Sequence, residues 1–249
     1  MKMENKKRQS GFSLVEVLMA VGILTVGLIL VATMFPAAIF MTTVASERTM
    51  AAIVADEAFA KIQIYDMNGI AINKLNDPCS CYDWGKEKTV AEIADSEFAY
   101  PPVDPNGGSS QYFWSALYKK KNNIAEDREF QITVFVARRM NSGLDYVSSA
   151  DDGNGGKRPV PYNITGVSGS RGSPTMTIGG NLVNPPITIV DNETGKLYTV
   201  VKRDNTGVTL DRNLEDDISS STGGIWVIPP PTSGGKNAGV EVYQRIIKF

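Results

Sequence analysis

Apolar positions crowd the N-terminal quarter of the chain. From Val17 to Ser46, thirty consecutive positions carry no Asp, Glu, Lys or Arg. As a helix this run is apolar on every side, so it has no polar face to turn toward water. About 20 apolar residues in helical form cross a hydrocarbon core, and the run exceeds that length. It also exceeds the roughly 7–15 apolar residues of a secretory signal peptide. Gly22 and Gly27 are tolerated in a membrane helix, and Pro36, which lacks a backbone donor, marks the expected kink. The pattern then changes. In "VASERTMAAIVADEAFAKIQIYD", Ala51, Ala55, Ala58, Ile62 and Tyr65 recur at alternating spacings of 4 and 3, which is one face of a helix. Glu57 and Lys61 form an i,i+4 pair in the favourable order. The spacing predicts one helix to about Asp66, apolar all round and then one-sided, with Asn68–Gly69 as its stop.

After Gly69 the period shifts toward two. Residues 67–110 hold the turn-rich stretches "NDPCSCYDWGKEK" and "AYPPVDPNGGSS" and read as a connecting region, with a short helix at Val90–Ser96. "QYFWSALY" and "EFQITVFVARRM" read as strands. "DYVSSADDGNGGKRP" and "TGVSGSRGSPTMTIGGN" read as Gly/Ser-rich connections. "ITIVDNETGKLYTVVKRDNTGVTLDRN" reads as three strands with turns at Asn192–Gly195 and Asp204–Gly207. "GGIWVIPPP" ends against prolines that cannot continue a central strand, and "VEVYQRIIKF" supplies a last strand. The order predicts an α+β fold: a long N-terminal helix packed on an antiparallel β-sheet head (residues 111–249), with extra β-hairpins near Ile187–Asp211.

Polar residues at the start of the apolar run raise the functional question. "MKMENKKRQSG" carries Lys2, Lys6, Lys7 and Arg8 against Glu4, which places this end in the cytoplasm and the head outside. Glu16 sits one turn inside the helix start. A charge at the centre of a lone membrane helix costs ~3 kcal/mol, and less where it reaches the interface. The plain reading is therefore an acid snorkelling to the membrane surface. The residues around it supply another. "KKRQSG" followed by "FSLVEVLMA" resembles the leader and helix start of type IV prepilins and type II secretion pseudopilins: a short basic leader ending in Gly11, then Phe12, then Glu16 four residues on. "MAAIVADEAFAKI" is similar to the stretch that follows the membrane span in minor pilins and pseudopilins.

That resemblance implies a leader peptide of residues 1–11 and a transmembrane and assembly helix of residues 12–66. It implies a pilin-like fold, cleavage after Gly11 by a prepilin peptidase, and N-methylation of Phe12 by the same enzyme. It also implies assembly with other pilins or pseudopilins through the N-terminal helix, at an inner-membrane assembly platform. The expected location is the inner membrane, single-pass, and then a filament. Cleavage would leave an ammonium on Phe12. A cation in an apolar core needs an anion, and the converse holds, so Glu16 can pair with the Phe12 ammonium of a neighbour or of its own chain. The helix dipole also favours an acid in the first turn.

Composition changes this picture little. The chain has 25 basic and 27 acidic residues, and the leader removes four bases and one acid, leaving a net excess of acid. No nucleic-acid partner is expected; "YKKKNN" reads as a solvated turn rather than a DNA-binding patch. There is no histidine, which excludes Ser-His-Asp and Cys-His nucleophile chemistry and His-ligated metals. No enzyme activity is expected. For Cys79 and Cys81 three readings stay open: thiols without a defined role, a local disulfide, or part of a metal site. Asp151, Asp152 and Asn154 gather hard oxygen ligands for calcium, but a solvated loop explains them as well, and no cofactor is otherwise expected. The rival to a pilin-like subunit is a membrane-anchored extracytoplasmic binding protein with a β-rich head, or an anchored enzyme. Processing at Gly11 separates them.

Overall fold

The computed structural model describes residues 11, 13–68, 70–87, 93, 95–101, 110–122, 128–139, 144–146, 158–179, 183, 185, 187–235 and 237–249. The chain divides into two compact units, Met1–Glu47 and Arg48–Phe249.

Helix α1 (Leu14–Tyr65) begins in the first unit. From Leu14 to Thr43 every residue is exposed, and the helix runs uninterrupted through Pro36. The hydroxyls of Thr25, Thr33, Thr42 and Thr43 each donate to a carbonyl one turn back, at 2.7–2.9 Å. Those groups are thus satisfied inside the helix, as a lipid environment requires. This is a helix long and apolar enough to cross a membrane.

In the second unit the last turns of α1 pack by one face. Ala51, Val54, Ala55, Ala58, Phe59 and Ile62 are buried, which matches the face read from the sequence. Helix α1 ends at Tyr65, one residue before the predicted end at Asp66. Asp66 takes a positive φ of 54°, a conformation Asp tolerates, and its carboxylate accepts from the Met67 N–H at 2.6 Å. Gly69 lies outside the described residues.

The face of α1 lies on a first antiparallel sheet. After a short helix α2 (Ile72–Leu75) come β1 (Tyr82–Asp83), a short helix α3 (Trp84–Glu87), β2 (Ala99–Tyr100), β3 (Tyr112–Lys120) and β4 (Glu129–Arg138). These pair in the order β1-β3-β4, with β2 also on β3, and β4 pairs with the last strand of the chain. Alternation decides what each face touches. Trp114, Ala116, Tyr118, Ile132, Val134 and Val136 face the helix, while Leu117, Phe135 and Ala137 face the other way. Both faces are covered, which is why β4 reads apolar on both sides. Residues 67–110 supply core as well as connection: Phe98 packs on Trp114 at 4.8 Å between ring centroids, and Trp84 at 6.0 Å from Trp114. Of the short helix expected at Val90–Ser96, residues 90–92 and 94 lie outside the described residues, and a 3-10 turn at Asp95–Phe98 overlaps only its last two positions.

The second sheet contains β5 (Tyr162–Ile164), β6 (Val167–Gly169), β7 (Thr175–Ile178), β8 (Ile187–Asp191), β9 (Leu197–Arg203), β10 (Gly207–Leu210) and β11 (Ile225–Val227). Their order is β5-β11-β8-β9-β10-β7-β6. The end strands β5 and β6 are separated in the chain by only Thr165 and Gly166, so the sheet must curl until its ends nearly meet. Ile164, Met176, Ile189, Tyr198, Val200, Leu214 and Ile225 fill the interior so formed. The strands of "ITIVDNETGKLYTVVKRDNTGVTLDRN" fall where the sequence predicts. The Gly/Ser-rich "TGVSGSRGSPTMTIGGN" does not remain a connection: it forms β6 and β7. Strand β12 (Gly239–Lys248) closes the first sheet against β4.

The architecture is α+β and pilin-like, with a long N-terminal helix and antiparallel sheets. The two sheets are joined by a third cluster, in which Leu117 and Phe135 meet Val190 and Ile228. Polar contacts reinforce it. Asn192 Oδ1 accepts from Trp226 Nε1 at 2.7 Å and from Cys81 N–H at 3.3 Å, while its Nδ2 donates to Thr222 O at 3.2 Å. The β8–β9 turn docks by Gly195 O, which accepts from Gln131 Nε2 at 2.9 Å and Gln244 Nε2 at 2.5 Å.

Candidate processing and assembly site

The site is built from the segment around the start of α1. Gly11 is exposed and non-helical, and a Cβ added to it meets no atom within 4 Å. Among the described residues, nothing crowds this position. Phe12 lies outside the described residues. Ser13 is the N-cap of α1: its carbonyl accepts the first helical bond, from Val17 N–H at 3.2 Å.

Ser13 and Glu16 cap the helix reciprocally. The Ser13 N–H donates to Glu16 Oε2 at 2.9 Å, and the Glu16 N–H donates to Ser13 Oγ at 3.3 Å. This is a capping box, in which two otherwise unpaired backbone donors are satisfied by two side chains three residues apart. Its signature, Ser-x-x-Glu ahead of an apolar run, was present in "SLVE" and is the local cause that reading by charge alone misses. It bears on why a carboxylate stands here at all. Held over the first turn by an N–H and by the positive end of the helix dipole, the acid is stabilised where a free one would be costly.

The first 32 residues also decide the comparison with known families. Residues 6–32 match the prokaryotic N-terminal methylation motif. The chain carries a type IV pilin-like prepilin signal. The match spans the basic Lys6–Arg8, Gly11, Phe12, Glu16 and the first half of the apolar run. It indicates a structural subunit processed by prepilin peptidase, and with the apolar α1 it agrees with anchoring in a membrane. No curated protein and no solved structure matches the chain.

The remaining candidates separate. Cys79 and Cys81 are both free thiols in this structure. Their environments differ. Cys79 is exposed, whereas Cys81 is buried with its Sγ 3.7 Å from Asp191 O, and burial pushes its thiol up to about 12. A thiol held protonated is neither a good nucleophile nor a ready metal ligand. Among the described residues, no group of three or more Cys, Asp or Glu could hold a metal ion. Asp151, Asp152 and Asn154 lie outside the described residues.

The basic run is a correction. Lys119 and Lys120 are buried at the end of β3 rather than solvated in a turn. The Lys119 ammonium donates to Pro78 O, Lys120 Nζ to Asn76 Oδ1 at 3.1 Å, and Lys121 pairs with Glu129 at 3.1 Å. Lys119 and Lys120 thus hold the connecting region onto the sheet, while Lys121 ties β3 to β4.

Proposed function

We propose that the protein is a minor pilin or minor pseudopilin, a structural subunit of a type IV filament machine of the pilus or type II secretion kind. Prepilin peptidase cuts after Gly11 and methylates Phe12. Before that step the chain is a single-pass inner-membrane protein with a cytoplasmic leader and an extracytoplasmic head. Afterwards it joins other pilins or pseudopilins through α1, at an inner-membrane assembly platform, and enters a filament. Glu16 pairs there with a Phe12 ammonium.

One observation carries this reading: a methylation motif at residues 6–32 runs directly into a 52-residue helix whose last turns are built into a β-rich head. A head of two sheets is large and irregular for a subunit that tiles a whole filament, which favours the minor role. The test is Gly11→Asp. Since none of the described residues crowds Gly11, the substitution is expected to leave the helix and head intact and to give full-length protein retained in the membrane. Normal mature protein from that variant would remove the leader.

A further inference from the structure

We infer that the free edge of β12 takes an extended segment of a different filament subunit as an added antiparallel strand, with one large apolar side chain seated in the cavity beside Val242; this rests on the assembly reading above. β12 ends its sheet and pairs with β4 on one side only. The register decides which backbone groups are left over. The Phe249 N–H donates to Arg128 O at 3.0 Å, so Ile247, Arg245 and Tyr243 also turn their backbone groups to β4. Val242, Gln244, Ile246 and Lys248 turn theirs outward, and among the described residues those groups have no partner. Exposed edges are ordinarily blunted by shortness, by proline or by a bulge. β12 is ten residues long and has no proline, and its register shift lies at Gly239–Glu241, ahead of the open run. Ile246, within that run, is 58% exposed.

The form of the edge specifies what covers it. Donors and acceptors at every second residue match an extended backbone and not a helix. Side chains of an added strand lie on the same face as the residues they oppose. Val242 and Gln244 face the second sheet, and Ile246 and Lys248 follow by alternation. A cavity of about 270 Å³ opens beside Val242 between the two sheets, lined also by Phe135, Ile187, Ile228 and Val240. That is below the ~300–1,000 Å³ of small-molecule sites and suits one side chain. The incoming segment therefore carries a large apolar residue opposite Val242, a second apolar residue opposite Ile246 and an acid opposite the Lys248 ammonium. Self-pairing does not meet these terms. Antiparallel pairing of β12 with β12 of a second copy sets a two-fold axis normal to the sheet. That axis reverses the last turns of α1 in one copy, whereas insertion in one membrane gives every copy the same direction. A minor subunit also has few copies of itself for neighbours, so the segment belongs to another pilin or pseudopilin.

The experiment uses the full-length chain in a strain that assembles it. The photo-crosslinking residue p-benzoylphenylalanine replaces Ile246, or Val201 of β9 as an exposed control. Cells are irradiated, filaments are recovered by shearing, and adducts are mapped by mass spectrometry. The expected adduct joins position 246 to an extended segment of another subunit cut at its own prepilin signal, and is missing at position 201. Lys248→Pro removes an outward N–H and a charge while leaving the ladder to β4 in place, and is expected to reduce the adduct about tenfold in a chain still cut after Gly11. No adduct at 246 in a cut chain, an adduct with a second copy of this chain, or an adduct unchanged by Lys248→Pro overturns the strand addition alone. A chain that keeps Met1 overturns the assembly reading, and the strand addition with it.

Discussion

Glu16 has two roles that a single substitution confounds, because its carboxylate caps the helix and carries the charge. Glutamine separates them. A Gln at this position of a capping box still accepts from the Ser13 N–H, but it is neutral. If Glu16 serves assembly by pairing with an ammonium, Glu16→Gln should insert normally, be cut at least in part and be recovered as poorly as Glu16→Val. An uncompensated buried cation costs ~3–5 kcal/mol, and ~1.4 kcal/mol is already tenfold. Recovery of the Gln variant at the wild-type level would leave only the cap as its role. A second residue-scale prediction concerns Asp83, which is buried beneath α3 and accepts from the Gly85 N–H at 3.0 Å. Burial raises its carboxyl to about 6, against the opposing pull of Lys86, Arg158 and the backbone N–H groups it accepts from. A folded value above the unfolded one means that this contribution to stability is fully present below about 3.8 and is lost as pH rises through about 6. Asp83→Asn should remove that loss, making the head more stable at pH 8 by up to ~3 kcal/mol. Urea unfolding across pH 4–8 measures it. Equal pH slopes for the two proteins would contradict the assignment.

Among the elements, α1 and the strands β3, β4, β8, β9 and β12 were legible because each is long enough to show its period. The apolar face of Ala51, Ala55, Ala58 and Ile62 is buried as its spacing requires. β5, β6 and β7 were not legible. They are three or four residues long, β5 and β6 contain Asn or Gly and Ser, which have little strand preference of their own, and β7 is a four-residue alternation flanked by Gly, Ser and Pro; pairing in the curled sheet sets all three. The buried Lys119 and Lys120 were hidden for another reason, since their partners Pro78 and Asn76 lie about forty residues away in the chain. At the assembly site, Gly11, Phe12 and Glu16 stood out by their spacing, while Ser13 did not, because a serine gains meaning only from the residue three places on. The sheets depend on one side chain that no pattern marks. Asn192 serves Trp226, Cys81 and Thr222 at once. Asn192→Ala should cost about 1–3 kcal/mol, because the part-buried indole N–H of Trp226 loses its acceptor and Thr222 O loses a donor, while the Cys81 N–H keeps its bond to the Asn192 carbonyl at 3.0 Å. A urea midpoint within error of wild type would show that the joint is not held there.

For the whole molecule, the division at Glu47–Arg48 has a direct consequence. The helix exposes its apolar surface from Leu14 to Thr43, while the unit after the division holds the three clusters of buried residues. A chain starting at Thr43 should be soluble and monomeric in buffer, and the full-length chain should require detergent. A full-length chain that stays monomeric without detergent contradicts the membrane reading. The central claim is that the N-terminal segment is a prepilin signal, cut and then used for assembly. The N-terminal sequence and intact mass of the mature protein from membranes test it most directly. The chain is predicted to begin at Phe12, with a methyl group on its amino nitrogen. A chain that still begins at Met1, or one cut beyond Phe35, would contradict it.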